Sequence, residues 1–175
     1  MSRIRVNLDV DGVMADFDGH CETLFGAAPR SLTHTCPTSG ETTNGDPALW
    51  AHVESCPEFW LDMPIKYAAH ELVDIARPYG VRFLTGCPAT GYERADKEKR
   101  IKLEKEFPGI PVITCRSKHK SNFMEQPGDI LVDDFIANIR RWQKAGGYGV
   151  YYKTHKQAVE DLKDGLARQF PEIKP

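Results

Sequence analysis

The chain has 175 residues, with 23 basic against 25 acidic side chains and a formal charge of -2. That length suffices for one core of ordinary size with a small appended lobe. The near-neutral balance excludes the global basic field that holds long nucleic acids. No apolar run approaches the ~20 residues of a membrane span, and Met1-Ser2-Arg3-Ile4 leads straight toward a strand without a signal-peptide pattern. The five cysteines are odd in number and contain no CxxC pair, so the expectation is a cytoplasmic protein with neither a disulfide framework nor a standard zinc knuckle.

Ile4, Val6 and Leu8 alternate with Arg5 and Asn7, the period of a strand, and Asp9-Val10-Asp11-Gly12 stands where it runs out. A helix is predicted from Ala15 to Phe25, with Asp16 and Asp18 as early helix charges. The Pro, Thr, Ser and Gly-rich stretch from Ala27 to Gly45 reads as loop, and Asp46-Pro47 as the N-cap and first residue of a second helix. Leu72, Val73, Ile75 and Ala76 give one face to a helix from about Tyr67 to Arg77, ended by Pro78 and Gly80.

Val81 to Leu84 is the second strand. Thr90 with Glu93 forms a capping-box pattern opening a helix toward Phe107, and its mixed charges from Arg94 to Glu106 read as a solvated face without chemistry. Val112 to Thr114, Ile130 to Val132 and Gly149 to Tyr152 complete the strands. A helix marked by Ile136, Ile139 and Trp142 stops at Gly146-Gly147, and Thr154 with Gln157 opens the last one.

Alternating strands and helices predict an α/β fold with a parallel, Rossmann-like sheet covered by helices on both faces. About fifty residues separate the first strand from the helix before the second, far more than a βα crossover needs. Residues 17–64 are therefore read as a small, mainly helical cap, inserted into a core formed by 1–16 and 65–175.

The chemistry gathers at the strand ends. Asp9 and Asp11 follow the first strand, Thr85-Gly86 the second, Lys118 and Lys120 the third, and Asp133-Asp134 the fourth. In a parallel sheet these converge on one edge. Several carboxylates around one crevice suit a hard cation, and Mg²⁺ is the usual choice where phosphate supplies further ligands. A carboxylate and a phosphate about 4 Å apart repel by ~4 kcal/mol per pair of unit charges at an effective dielectric of 20, which a cation and a lysine would offset. An EF-hand is the competing reading of Asp9 and Asp11, but Val13 and Met14 stand where that loop needs an oxygen ligand and a glycine. Taken singly, Thr85 could be an ordinary strand-end residue, and Asp133-Asp134 a helix N-cap.

Asp9-Val10-Asp11-Gly12-Val13, Leu84-Thr85-Gly86, Lys120 and Ile130-Leu131-Val132-Asp133-Asp134 resemble the four ordered motifs of the haloacid dehalogenase-like phosphohydrolases. The likeness runs from Ile4 to about Tyr152. More narrowly, Asp9 to Phe17, Phe59-Trp60 through Pro64 and Glu71, and Gly128 to Asp134 are similar to the 5'(3')-deoxyribonucleotidases.

The resemblance implies Asp9 as nucleophile and Asp11 as general acid and then base. It implies Mg²⁺ on Asp9, the Asp11 carbonyl and Asp133, with Asp134 either joining that shell or holding its waters. Thr85 and the Gly86 amide would bind phosphoryl oxygens, and Lys120 would neutralise the aspartyl-phosphate, with Lys118 its rival. The implied substrate is a small nucleotide, with Phe17 at a base-stacking position. Dimerisation is implied by resemblance only.

In the cap, Phe17, Trp50, Phe59 and Trp60 could offer a stacking surface, although a small lobe also needs aromatic core. Arg116 is a further candidate contact for phosphate. Cys36, Cys56, His34 and His52 could bind zinc in the cap, although their irregular spacing speaks against it. Two other readings stay open: a phosphatase for another small ester or a polynucleotide end, and a non-catalytic binding protein on the same scaffold.

Overall fold

The computed structural model describes residues 5–169; Ile4 of the predicted first strand lies outside them. In chain order the elements begin with β1 (Val6–Leu8) and α1 (Phe17–Phe25). A short hairpin of β2 (Thr33–Thr35) and β3 (Thr42–Asn44) follows, then α2 (Asp46–Ser55), α3 (Phe59–Asp62) and α4 (Ala69–Ala76). The rest alternates: β4 (Val81–Gly86), α5 (Tyr92–Glu106), β5 (Val112–Cys115), β6 (Ile130–Asp133), α6 (Ile136–Lys144), β7 (Tyr148–Tyr151) and α7 (His155–Gln169).

The main sheet has the order β5-β4-β1-β6-β7, and every pairing in it is parallel. Helices cover a sheet of this kind on both faces, so its strands are apolar almost throughout. Val6, Leu8, Phe83, Leu84, Ile130, Leu131 and Val132 are all fully buried. The polar half of the β1 alternation is buried too. Asn7 and Arg82 stand opposite each other across β1 and β4, and Arg82 Nε donates to Asn7 Oδ1 at 2.6 Å while Asn7 Nδ2 donates to Ile130 O at 3.0 Å. Asn7 and Arg82 thus partner each other and the β6 backbone, which avoids the cost of burying them unsatisfied.

β1 is central. The chain continues from β1 to β4 on one side and from β6 to β7 on the other, so the carboxyl ends of β1 and β6 flank a topological switch point, where such sheets form a crevice.

The insert is pinned where it leaves and returns. Asp16 N–H donates to Pro64 O at 2.8 Å, and Lys66 N–H donates to Met14 O at 2.8 Å. Its aromatic residues Phe59 and Trp60 belong to the same buried cluster as Leu8 and Phe83.

Three local expectations are corrected. The 27–45 stretch holds the β2–β3 hairpin and a 3₁₀ turn at Pro29–Ser31; its strands are only three residues long, too short to show a period, but β-branched threonines favour them. Gly45 and Gly91, with φ of 65° and 71°, take the positions before α2 and α5, so Asp46 is the first helical residue and Thr90 caps nothing. Asp16 does more than add charge: its side chain accepts from Gly19 N–H at 3.3 Å and caps α1. The Thr154 pattern forms in part: Thr154 Oγ1 accepts from Gln157 N–H at 3.3 Å, while Gln157 Oε1 accepts from Lys153 N–H at 3.1 Å, one residue before the N-cap.

Candidate active site

The carboxyl ends of β1, β4 and β6 and the 3₁₀ turn Ser117–Phe123 after β5 surround one cavity of about 730 Å³, closed on the far side by the cap. Asp9 leaves β1 with its N–H donating to Val132 O on β6 at 2.9 Å, which fixes it beside Asp133. Its Oδ1 accepts from Val10 N–H at 2.7 Å and lies 2.6 Å from Lys120 Nζ. Asp133 is fully buried and fully engaged: Oδ2 accepts from Lys120 Nζ at 2.7 Å and from Asn138 Nδ2 at 3.0 Å, and Oδ1 from Phe135 N–H at 2.8 Å.

Asp134 turns toward the exposed side, yet carboxylate oxygens of Asp9, Asp133 and Asp134 lie within 4.8 Å of one another. Unit charges at that distance repel by ~3 kcal/mol at an effective dielectric of 20. Although the residue keeps an exposed edge, the protein packed around the Asp134 carboxyl, then the charge of Asp133, push it up to about 7, with Asp11 adding to this and Lys120 opposing it. Burial likewise raises Asp9 well above the ordinary range; Lys120 opposes this and the neighbouring aspartates add to it. Burial alone would lower the Lys120 pKa, but Asp9 and Asp133 reverse that and raise it.

Gly12 makes the turn possible. It has a φ of +79°, and a Cβ there would come within 2.0 Å of Asp134 Oδ2, so only glycine admits both the backbone and the carboxylate. Lys66, at the return from the cap, hydrogen-bonds the Gly12 carbonyl.

Of the residues singled out from sequence, Asp9, Asp11, Gly86, Lys120, Asp134, Phe17, Lys118 and Arg116 line the cavity. Among the described residues Lys118 makes no ion pair and no side-chain hydrogen bond; Lys120 is the lysine held between the aspartates. Thr85 is fully buried behind the lining, its Oγ1 accepting from a lysine of α5. Trp60 does not line the cavity: it is 1% exposed and stacks behind Phe17, ring centroids 6.0 Å apart. It cannot present its ring to a ligand there because Phe17 and Phe59 cover it. Trp50 does line the cavity beside Phe17. No cap zinc site assembles among the described residues, and His52 Nε2 lies 2.9 Å from Thr33 O.

The reading of Arg94 to Glu106 as a solvated face is wrong at two positions. Glu98 and Lys99 are buried, and Lys99 Nζ donates to Asp11 Oδ2 at 2.5 Å, Gly86 O at 2.7 Å and Thr85 Oγ1 at 3.0 Å. The signal was present, since Ala95, Lys99 and Leu103 are spaced by four, the stripe that a helix lays against a sheet. A lysine in the middle of that stripe needs a buried partner. Asn138 was also missed; it carries no sequence signal beyond its place one turn after Asp133-Asp134.

The innermost site therefore sets four carboxylates against two buried ammonium groups. The remaining negative charge and the oxygen-only donor set fit a hard divalent cation on Asp9, Asp133 and Asp134. Cys87 also lines the cavity, but burial pushes its thiol up to about 11, which leaves it un-ionised at neutral pH.

No family model matches the sequence, and no curated protein matches it. Among solved structures, the fold is similar to that of a hydrolase from Streptococcus pneumoniae TIGR4, with a TM-score of 0.52 at 14% identity over 93% of this chain and 100% of that one. The likeness shows a common α/β architecture. Among the described residues, no helix is long and apolar enough to cross a membrane.

Proposed function

We propose that the protein is a Mg²⁺-dependent phosphomonoesterase of the haloacid dehalogenase-like type that hydrolyses nucleoside monophosphates, with deoxynucleotides preferred. One observation carries the reading: a buried lysine bridges Asp9 to Asp133 at the floor of an open cavity, with Asp11 two residues from the nucleophile. That the structurally similar streptococcal protein is a hydrolase agrees with it.

Asp9 Oδ would attack phosphorus and form an aspartyl-phosphate as the bond to the leaving oxygen breaks. Asp11 gives that oxygen its proton, then takes a proton from the water that hydrolyses the intermediate and releases phosphate. The Gly86 backbone and Lys120 would face the phosphoryl oxygens from β4 and the turn after β5, where fixed donors act against the charge that develops. Asp9, Asp133 and Asp134 would hold Mg²⁺, which supplies charge neutralisation for the approaching phosphate. Phe17 and Trp50, on the cap side of the same cavity, supply an aromatic surface for a base.

A second reading draws on a separate observation. Arg116, Lys118 and Arg141 line the cavity beyond Lys120, and they suit an ester carrying a further anionic group, such as a polynucleotide end.

Phosphate release from 5' and 3' (deoxy)nucleotides, sugar phosphates and end-phosphorylated oligonucleotides, with and without Mg²⁺, separates these readings. Fast turnover of nucleotides that Asp9→Asn abolishes is the expected result. Substantial turnover by Asp9→Asn would overturn the nucleophile. Hydrolysis of sugar phosphates alone would overturn the nucleotide preference.

A further inference from the structure

The α5 lysine already described makes an unusual set of contacts. Lys99 is 1% exposed, and its three ammonium donors match three acceptors, Asp11 Oδ2, Gly86 O and Thr85 Oγ1. Its Nζ also lies 4.2 Å from the Trp60 ring centroid, within cation–π range. The preceding residue grips the same helix: Glu98 Oε2 accepts from Trp60 N–H at 3.1 Å. Adjacent side chains of α5 thus hold α3 from below, while one of them reaches past the end of β4 to Asp11.

We propose that Lys99 is a positioning residue for the proton transfer made by Asp11. The inference rests on the phosphomonoesterase reading. Asp11 Oδ2 is committed to Lys99, whereas Oδ1 is buried and accepts no hydrogen bond among the described residues. The short contact to Lys99 therefore fixes how the Asp11 carboxyl lies beyond the end of β1. As the leaving alkoxide departs, the O–H bond of Asp11 breaks, the proton joins the alkoxide, and the carboxylate that remains keeps its bond to Lys99. The ammonium itself transfers nothing. It fixes the carboxyl's orientation and, once the proton has left, its charge lies beside the carboxylate that remains.

Fixing a proton donor in place matters in proportion to the leaving group's need for a proton. An alkoxide from a nucleoside needs one, whereas p-nitrophenolate departs without. The test compares kcat/KM, which reports the steps up to phosphoenzyme formation, for a deoxynucleoside 5'-monophosphate and for p-nitrophenyl phosphate at saturating Mg²⁺.

In Lys99→Met the nucleotide value should fall on the order of 10²-fold or more, the scale of general acid catalysis, and the p-nitrophenyl value by less than ~10-fold. Equal losses on both substrates, in a variant whose circular dichroism and melting remain those of a folded protein, would overturn the proposal and leave Lys99 a structural residue. Lys99→Gln, which keeps hydrogen-bonding capacity, guards against loss of the fold in Lys99→Met. If Lys99 works through Asp11, Lys99→Gln should cost little further in an Asp11→Asn background. A full additive loss there also overturns the proposal. Absence of turnover by the wild-type protein on both substrates would instead remove the phosphomonoesterase reading.

Discussion

The Lys120 ammonium stands 2.6 Å from Asp9 Oδ1 and 2.7 Å from Asp133 Oδ2, so a single buried cation ties the ends of β1 and β6 together. Replacing it leaves two buried carboxylates facing each other without compensation. Lys120→Met should therefore destabilise the fold by about 3–5 kcal/mol, the usual scale for breaking a buried ion pair. Urea denaturation measures this, and phosphatase activity should be lost in the same variant. A loss of activity with unchanged stability would mean that Lys120 acts on the substrate without holding the strand ends.

The aspartate cluster should make the metal-free protein sensitive to pH in a specific direction. The Asp134 carboxyl is pushed up to about 7 from an ordinary 3.8, so between those values the folded state holds a proton that the unfolded state has lost. Its contribution to stability is complete below about 4 and is lost as pH rises through about 7. In chelator, the melting temperature should fall over that range, and Asp134→Asn should flatten the decline. Mg²⁺ should raise the melting temperature at pH 8 more than at pH 5, because a cation relieves repulsion only between ionised groups. A pH-independent Mg²⁺ effect would show that the cluster is not its site.

Gly12→Ala tests the turn beneath the cluster. The new methyl meets Asp134 Oδ2 and the backbone sits at φ +79°, so both sterics and conformation oppose it. A cost of about 1–3 kcal/mol and a weaker dependence on Mg²⁺ are expected. Adding Asp134→Ala should recover the steric part and leave the backbone part. If the double variant is no more stable than Gly12→Ala, the contact with Asp134 is not what excludes a side chain.

Phe17 faces the cavity, whereas Trp60 lies behind it. Phe17→Ala should raise KM for nucleotides by about 5- to 150-fold, equivalent to the ~1–3 kcal/mol of a base stacked on an aromatic ring. The same variant should change hydrolysis of a phosphate ester without a ring far less. Steady-state kinetics on the two substrates checks this, and equal effects on both would remove base stacking from the account.

Much of this molecule follows from local pattern. The hydrophobic runs that became β1, β4, β5, β6 and β7 are legible because a parallel strand buried on both faces must be apolar, and Asp9, Gly86 and Asp133 are legible because they interrupt those runs at their ends. The hairpin in the cap was not, since three-residue strands carry no period. The core place of Trp60 and the inward place of Lys99 were not legible for a shared reason. Composition identifies an aromatic ring or a charge, but not which side of a helix meets another element.

The sequence by itself determined the succession of strands along the chain, the chemical types at their ends and the length of the insert. Which lysine meets which aspartate was decided by tertiary structure. Lys118 and Lys120 are two residues apart and chemically identical, and Lys99 comes from a helix that looks solvated; only the pairing of β1 between β4 and β6, with α5 packed against them, brings two of the three within 3 Å of a carboxylate. A buried ammonium needs charge and hydrogen bonds from partners far away in sequence, and those distances exist only once the sheet has closed.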